Sequence, residues 1–483
     1  MSRVVVGPFN RVEGDLEVHL DVEEGIVVAA EVAVPLYRGF EQILVGRPFE
    51  DALVLAPRIC GICSVSQSLA VARAISAFSG VVPTDNGHRA TALAHAAENV
   101  ADHLTHFYLF FMPDFARASY AGEAWHAAIA DRFAAVKGRA ARDVLPARAR
   151  LLETMGLIAG KWPHSLAFRA GGTTRALDLG EIMRLRAILA DVRAFAEEVL
   201  FGRRLEAIVA LETLGDLDAV AAGPGDFAAF LRLSAALGLH ELGRGPGLVM
   251  SFGAYPGVGP GGGDVFARGT LDTGTGARAP LAIDRIVEDP ARSWLAGEAG
   301  PPARATSEPD IEREGAYSWA KAPRYGGRTV EVGALARQLV DGSALASALV
   351  APSGATHVAG RVVMRLVETA RVLLAMEGWV DALERGAPFC AEGAMPTDGS
   401  GVGLVEAARG SLGHWMTVRG GRITRYQIIA PTTWNFSPRD AAGRPGPLEG
   451  ALEGIAVGAE GARSVAVQHV VRSFDPCMVC TAH

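Results

Sequence analysis

The sequence predicts an α+β protein with a mostly helical core, an N-terminal β-hairpin and further small β-sheets at the periphery. Two observations carry this. Helical periodicity runs through several long stretches, whereas strand-like alternation is confined to short ones. A third observation says what the core encloses. Four of the five cysteines stand in two C-x-x-C pairs at opposite ends of the chain, Cys60/Cys63 and Cys477/Cys480. Two such pairs make a four-sulfur site once the fold returns the C-terminus to the N-terminal region, so the core should surround a buried metal site.

At 483 residues, one simple core no longer suffices. The expectation is a single intertwined domain over 1–483. Residues 1–50 would form a β region, 51–240 a helical core, 241–330 an irregular β-rich excursion at the surface, and 331–483 the part that closes the metal site. A net charge of −7 argues against nucleic acid as a partner. The Arg-rich segment Lys137–Arg150 reads as a solvated helix face. Five cysteines in so long a chain are no disulfide framework, which points to a reducing compartment. The N-terminus, MSRVVVGPFNR, carries no long apolar segment and no twin-arginine signal. No run reaches the roughly 18 apolar residues of a membrane span. The expectation is a soluble, cytoplasmic protein.

Taking the elements in order, Leu16, Val18, Leu20 and Val22 alternate with polar residues. The turn Glu23-Glu24-Gly25 then leads into Ile26–Val34, a β-hairpin. A helix should precede the first cysteine pair, and a second should follow it from Ser64, as N-cap, to Gly80. A long helix runs from about Asp85 to Phe111, before Pro113. Asp178–Glu206, with Asp178 as N-cap, and Gly225–Gly238 carry helical periodicity too. Helical pattern returns over Val362–Glu384. Strands Gly413–Val418 and Ile423–Ala430 flank the turn Arg419–Arg422, and a last helix, about Ala459–Phe474, delivers Asp475-Pro476-Cys477.

On cysteine count alone, the four sulfurs read as a structural zinc site. Zinc ribbons are compact local units, however, whereas a C-terminal tail buried at this distance closes a deep, dry site that suits nickel, iron or copper equally. His95, Glu98, Asp102 and His106 share one face of the long helix. They form either a solvated face or a set of satisfied core hydrogen bonds; a di-iron carboxylate bundle needs Glu-x-x-His pairs that this helix lacks. Gly257–Gly262 matches G-x-G-x-x-G but has no strand before it and no helix after it, so it reads as a surface turn. Cys390, alone, reads as inert packing. Glu13 lies at a strand entrance and Arg409 just ahead of a hairpin, where a permanently charged guanidinium could hold anionic ligands.

Together these motifs resemble the large subunit of the nickel–iron hydrogenases from end to end. The family patterns RxCGxC and DPCxxCxxH stand here as Arg58–Cys63 and Asp475–His483. Between or before them lie Arg11–Gly14, Arg38–Glu41, Asp102-His103, His106–Tyr108, Lys321–Tyr325, Arg409–Trp415 and Pro431–Asn435. The resemblance implies heterolytic cleavage of H2 at a nickel–iron centre whose iron carries carbon monoxide and cyanide. Cys60 and Cys477 would be terminal on nickel, and Cys63 and Cys480 would bridge. Glu13 would relay the proton from Cys477. Arg409, oriented by Asp102 and Asp475, would hydrogen-bond one cyanide and Thr432 the other. Glu41, His483 and a main-chain carbonyl, with Ile428 the candidate, would bind Mg2+. Electrons would leave to a separate iron–sulfur small subunit, because no cysteines remain here for a cluster relay.

This chain departs from the catalytic members at several positions. Gln67 replaces a histidine four residues after the second cysteine, and Asp15 stands where RxEGH would put histidine. Ala408 replaces a proline. Ile62 and Phe110 stand where many members carry valine and leucine at the end of a gas tunnel, and the larger side chains would admit H2 while hindering O2. This set resembles the regulatory, H2-sensing branch, whose members are cytoplasmic, form higher oligomers and report to a histidine kinase. A catalytic uptake hydrogenase and a structural zinc protein are the alternatives.

Overall fold

The N-terminal sheet is where the two chain ends meet. In the computed structural model, which describes residues 2–458, 461 and 464–483, strands Ser2–Val6, Glu17–Glu23 and Ile26–Ala33 form an antiparallel sheet in that order. Val18, Leu20 and Val22 face inward, as the alternation requires. The first strand, S-R-V-V-V, is mostly exposed and has no such alternation to announce it. Short helical turns, Phe40–Leu44 and Ala52–Leu55 among them, lead to the first cysteine pair.

Helix Ser64–Ser79 leaves directly from Cys63. That cysteine occupies the cap position, so Ser64 is the first helical residue rather than the cap, and Gly80 ends the helix at φ 74°. Helix Asp85–Thr105 starts on Thr84, whose hydroxyl accepts from the Gly87 N–H. It does not run regularly to Phe111. It widens over His106–Phe111 and yields to a tight turn containing Pro113. Helix Leu179–Phe195 begins on a reciprocal Asp178–Glu181 cap, widens over Ala196–Phe201 and is broken at Gly202, short of the expected Glu206. A Cβ at Gly202 would lie 2.5 Å from the Pro224 carbonyl oxygen. The Arg-rich segment lies on helix Ala140–Ala159, and its Arg148 donates to Thr105 across to the long helix.

Residues 241–330 carry short strands and much exposed chain, but part of the segment is buried. Strand Leu248–Ala254 is buried at every position and pairs with Phe266–Asp272, while the Gly257–Gly262 turn and residues 274–280 are mostly solvent-facing. Its neighbours are helix Ala334–Asp341 and strand Gly399–Ala407, which cover both of its faces. That last strand joins Gly410–Arg419 and Arg422–Ile429 in an antiparallel sheet. Gly399, Gly401 and Gly403 put hydrogen atoms toward helix Ser64–Ser79. A Cβ at Gly401 would lie 2.0 Å from the Ala74 carbonyl oxygen, and one at Gly403 1.8 Å from that of Ala70. The sheet bearing Arg409 is thereby pressed onto the helix that begins at Cys63. Helix Val358–Asp381 is followed near the C-terminus by Val465–Ser473; the expected start of the latter at Ala459 lies outside the described residues. One buried apolar cluster extends from Val6 to Ala482.

His357 caps helix Val358–Asp381 with a ring nitrogen. Its Nδ1 accepts from the Gly360 N–H (3.1 Å) and its Nε2–H donates to the Leu349 carbonyl (3.0 Å), an arrangement open only to the neutral ring. Burial holds its pKa down from 6.5 to about 4. The unfolded chain therefore takes up the proton first on acidification. Stability is fully present above pH 6.5 and falls by about 3 kcal/mol as pH drops through 4. Asn retains a capping acceptor without a titrating ring. Denaturant unfolding of His357→Asn between pH 7 and 4 should show a pH dependence flatter by about that amount. An unchanged slope would remove His357 from the account.

Candidate metal centre

The two cysteine pairs, remote in sequence, converge. Cys60 Sγ lies 3.5 Å from Cys477 Sγ, Cys63 Sγ 3.3 Å from Cys480 Sγ, and Cys477 Sγ 3.1 Å from Cys480 Sγ. All four sulfurs lie within 4.8 Å of one another and all four residues are buried. These separations are far longer than a disulfide bond of about 2.05 Å, and all five cysteines are free. Four buried, soft, ionisable donors facing one point are matched to a thiophilic transition metal. The neighbouring sulfurs, Cys477 foremost, and then the Arg409 charge hold Cys60 well below the usual thiol range against burial.

Three devices bring the pairs together. Glu13 pairs with Cys477 as in a parallel sheet: its N–H donates to the Pro476 carbonyl (3.3 Å) and its carbonyl accepts from Met478 N–H (2.7 Å). Arg38 donates to the carbonyl of Ile59 (2.6 Å), before Cys60, and to that of Val479, before Cys480. Glu98 accepts from the Val65 and Ser66 N–H groups (2.8 and 2.9 Å), capping from a neighbouring helix the N-terminus that starts at Cys63. The sequence motifs include Arg38 but do not assign it this role. Glu98 stands on the polar stripe of the long helix, all four members of which are buried. The solvated-face reading is thus excluded and the hydrogen-bonded one holds: His95 meets Ser66 and His106 meets the Arg472 carbonyl.

Arg409 and two carboxylates flank the sulfurs. Arg409 Nη2 donates to Asp102 Oδ1 (2.9 Å) and Asp475 Oδ1 (3.2 Å), and its Nε donates to the Asp475 carbonyl (3.0 Å). Burial pushes Asp102 up to about 8 against the pull of Arg409, and the negative Asp475 adds to the rise. Burial also acts to raise Asp475, but Arg409, His106 and Arg365 overcome it and hold that group below the usual range. Of two carboxyls sharing one guanidinium, Asp102 is shifted up by burial and Asp475 down by charge. Asp475 takes φ 59°, a strained left-handed conformation just before Pro476 and Cys477. Glu13 is half-buried. Burial raises its pKa and the Cys60 charge adds to this, against Arg409. The Thr432 hydroxyl accepts from Cys477 N–H (3.2 Å).

Gln67 lies one turn beyond Cys63. Its Oε1 accepts from His414 Nε2–H (2.7 Å), and the Tyr426 hydroxyl donates to His414 Nδ1 (2.7 Å). Burial holds His414 down at about 3, so the ring is neutral. Gln67 Nε2 is buried without a protein acceptor among the described residues. Ile62, in the first cysteine loop, and Phe110, in the widened turn, are both partly buried. At the C-terminus His483 Nε2 meets the Ile428 carbonyl (3.0 Å) and Glu41 Oε1 (3.3 Å), while its Nδ1 meets the Cys480 carbonyl (2.8 Å). Burial alone would raise Glu41, but nearby Lys321 and His483 hold it at about 2. Cys390 lies outside the four-sulfur group, bridged to Gly172, and its thiol donates to the carbonyl of Ala391.

The mixed helical fold encloses four buried, converging sulfurs closed by both chain ends, which defines the chain as a protein built around a thiophilic metal site. Residues 38–144 and 142–483 match the model of the nickel-dependent hydrogenases. The chain is 28% identical to the periplasmic [NiFeSe] hydrogenase large subunit of Desulfomicrobium baculatum, over all of this chain and 95% of that one. It is 27% identical to the uptake hydrogenase large subunit of Rhodobacter capsulatus, with the same coverage. It superposes on the reduced Ni-Fe-Se hydrogenase of D. vulgaris Hildenborough with a TM-score of 0.84 at 28% identity, covering both chains completely. The chain belongs to the nickel-dependent hydrogenase family and is a large subunit of that family. No helix among the described residues is long and apolar enough to cross a membrane.

Proposed function

We propose that this chain is the H2-activating subunit of a nickel–iron hydrogenase tuned for H2 sensing. The observation that supports the chemistry is the convergence of four buried sulfurs between Glu13 and Arg409. Cys60 and Cys477 would be terminal on nickel, and Cys63 and Cys480, paired at 3.3 Å, would bridge it to iron. Bound there, the two metals supply the polarisation that splits H2 heterolytically. The protein's part is to take the proton and hold the surroundings. Cys477 Sγ is the first acceptor. The Glu13 carboxyl, tied to Cys477 through backbone pairing, passes the proton on, its raised pKa bringing it toward the working range.

Arg409 Nη1 makes no protein hydrogen bond among the described residues and would donate to one cyanide on iron, with the Thr432 hydroxyl hydrogen serving the second. Glu41, His483 and the Ile428 carbonyl would seat Mg2+, pinning a tail that carries two of the four sulfurs. Four of five cysteines are used at the centre and Cys390 stands alone, so electrons would pass to a separate iron–sulfur small subunit. We treat the whole chain as one folding unit and place it in the cytoplasm. As a sensor it would form a higher oligomer and signal to a histidine kinase.

Ile62, Phe110 and Gln67 favour the sensor. Ile62, between Cys60 and Cys63, and Phe110 would, by the resemblance, narrow the gas path, and Gln67, fixed by His414, cannot titrate. The likeness to an uptake enzyme favours the second reading, catalytic H2 uptake. Metal analysis and infrared spectra of the purified large–small subunit complex, followed by H2-dependent dye reduction with and without O2, decide between them. The sensor reading expects nickel and iron, cyanide and carbonyl bands, slow turnover and activity that survives O2. The double variant Ile62→Val/Phe110→Leu should lose that survival. Fast turnover abolished by O2 in the unaltered complex would establish the uptake reading; zinc without infrared bands would refute both.

A further inference from the structure

Arg337 lies behind Arg409, on helix Ala334–Asp341, and its buried guanidinium has all five donors engaged. Nε and Nη2 reach the two oxygens of Glu368 (2.8 and 2.6 Å) and Nη1 reaches Glu406 (2.8 Å). Nη1 also donates to the Ala407 carbonyl and Nη2 to that of Ala408, each at 3.0 Å. Glu406 is tied in turn to the Ser411 hydroxyl (2.5 Å) and the Phe252 N–H (2.7 Å). Glu368 meets His103 Nε2 (3.0 Å), next to Asp102. Ala407 and Ala408 are the two residues before Arg409, and Ser411 is the second after it. The turn between strands Gly399–Ala407 and Gly410–Arg419 is therefore gripped on both sides of Arg409. Within it Gly410 sits at φ 128°, a conformation that supplies no side-chain restraint of its own.

We infer that Arg337 is a positioning residue: it clamps the Ala407–Ser411 turn so that the Arg409 guanidinium is presented to the four-cysteine centre. The inference rests on the reading that this centre activates H2. The planar fork is required, because five acceptors spread over two carboxylates and two carbonyls cannot be met by an ammonium with three donors at one point. Asp102 and Asp475 hold only the tip of Arg409; the backbone beneath it is held by Arg337.

The test uses the large–small subunit complex with Arg337→Lys and with the neutralised set Arg337→Met/Glu368→Gln/Glu406→Gln. The second leaves no unpaired buried charge and should fold. Amide exchange over residues 407–411 should quicken by about tenfold or more in both variants, with helix Ser64–Ser79 unchanged. The kcat for H2 oxidation should fall about 10- to 100-fold at near-constant KM, with nickel and iron retained and no rescue by lysine. Exchange and kcat both staying within about twofold of the unaltered complex would overturn the inference. So would a loss of rate that merely follows loss of metal. If the unaltered complex oxidises no H2, it is the reading of the centre that fails, and exchange of the turn still decides the clamp.

Discussion

Cys63→Ala is expected to empty the centre. Cys63 both supplies a sulfur 3.3 Å from Cys480 and occupies the cap of helix Ser64–Ser79. Structural zinc sites bind with roughly 10–16 kcal/mol, so on that scale one ligand in four accounts for about 2.5–4 kcal/mol, about 60- to 800-fold in affinity. Alanine leaves the other three sulfurs in place and introduces no charge, so the fold should persist. Elemental analysis of the purified complex should find nickel and iron below about a tenth of the unaltered level, with H2 oxidation reduced in step. Retention of both metals with full turnover would mean that the four sulfurs are not the seat of the chemistry.

Glu13→Gln should separate proton transfer from metal binding. The Glu13 backbone pairs with Pro476 and Met478, and glutamine has the same shape, so the loop carrying Cys477 stays in place. Only the ionisable oxygen is lost. Nickel, iron and the infrared bands should be unchanged, while H2 oxidation falls about 10²- to 10⁴-fold, the usual contribution of a positioned acid–base group. Glu13→Asp keeps the carboxyl one methylene farther back and should recover part of the rate. Full activity in the glutamine variant would take the proton route elsewhere.

Much of this was legible along the chain. The C-x-x-C pairs, Glu13 and the Arg409 hairpin are local patterns, and so are the alternation of the first hairpin and the Asp178 cap. What was misread or left open depended on partners distant in sequence. The stripe His95–His106 looks the same whether it faces water or Glu98's helix cap, because periodicity reports a face and not its neighbour. Residues 241–330 read as surface because glycine and proline usually mark turns, yet Leu248–Ala254 within them is buried on both faces. Strand Gly399–Ala407 escaped notice because its glycines weaken the strand signal. Those same glycines let it approach helix Ser64–Ser79 within backbone contact.

The sequence by itself determined the two C-x-x-C pairs and the helical character of the core, and it singled out Glu13 and Arg409 as candidates. Residue chemistry and short spacing are properties of the chain. Only the tertiary structure decided that sulfurs from opposite ends stand 3.3–3.5 Å apart, that burial shifts Asp102 up while charge shifts Asp475 down, and that Arg38 and Arg337 donate to the loop carbonyls. Distances between remote residues, and the pKa values those distances set, arise from burial and charge in three dimensions and leave no mark on local sequence.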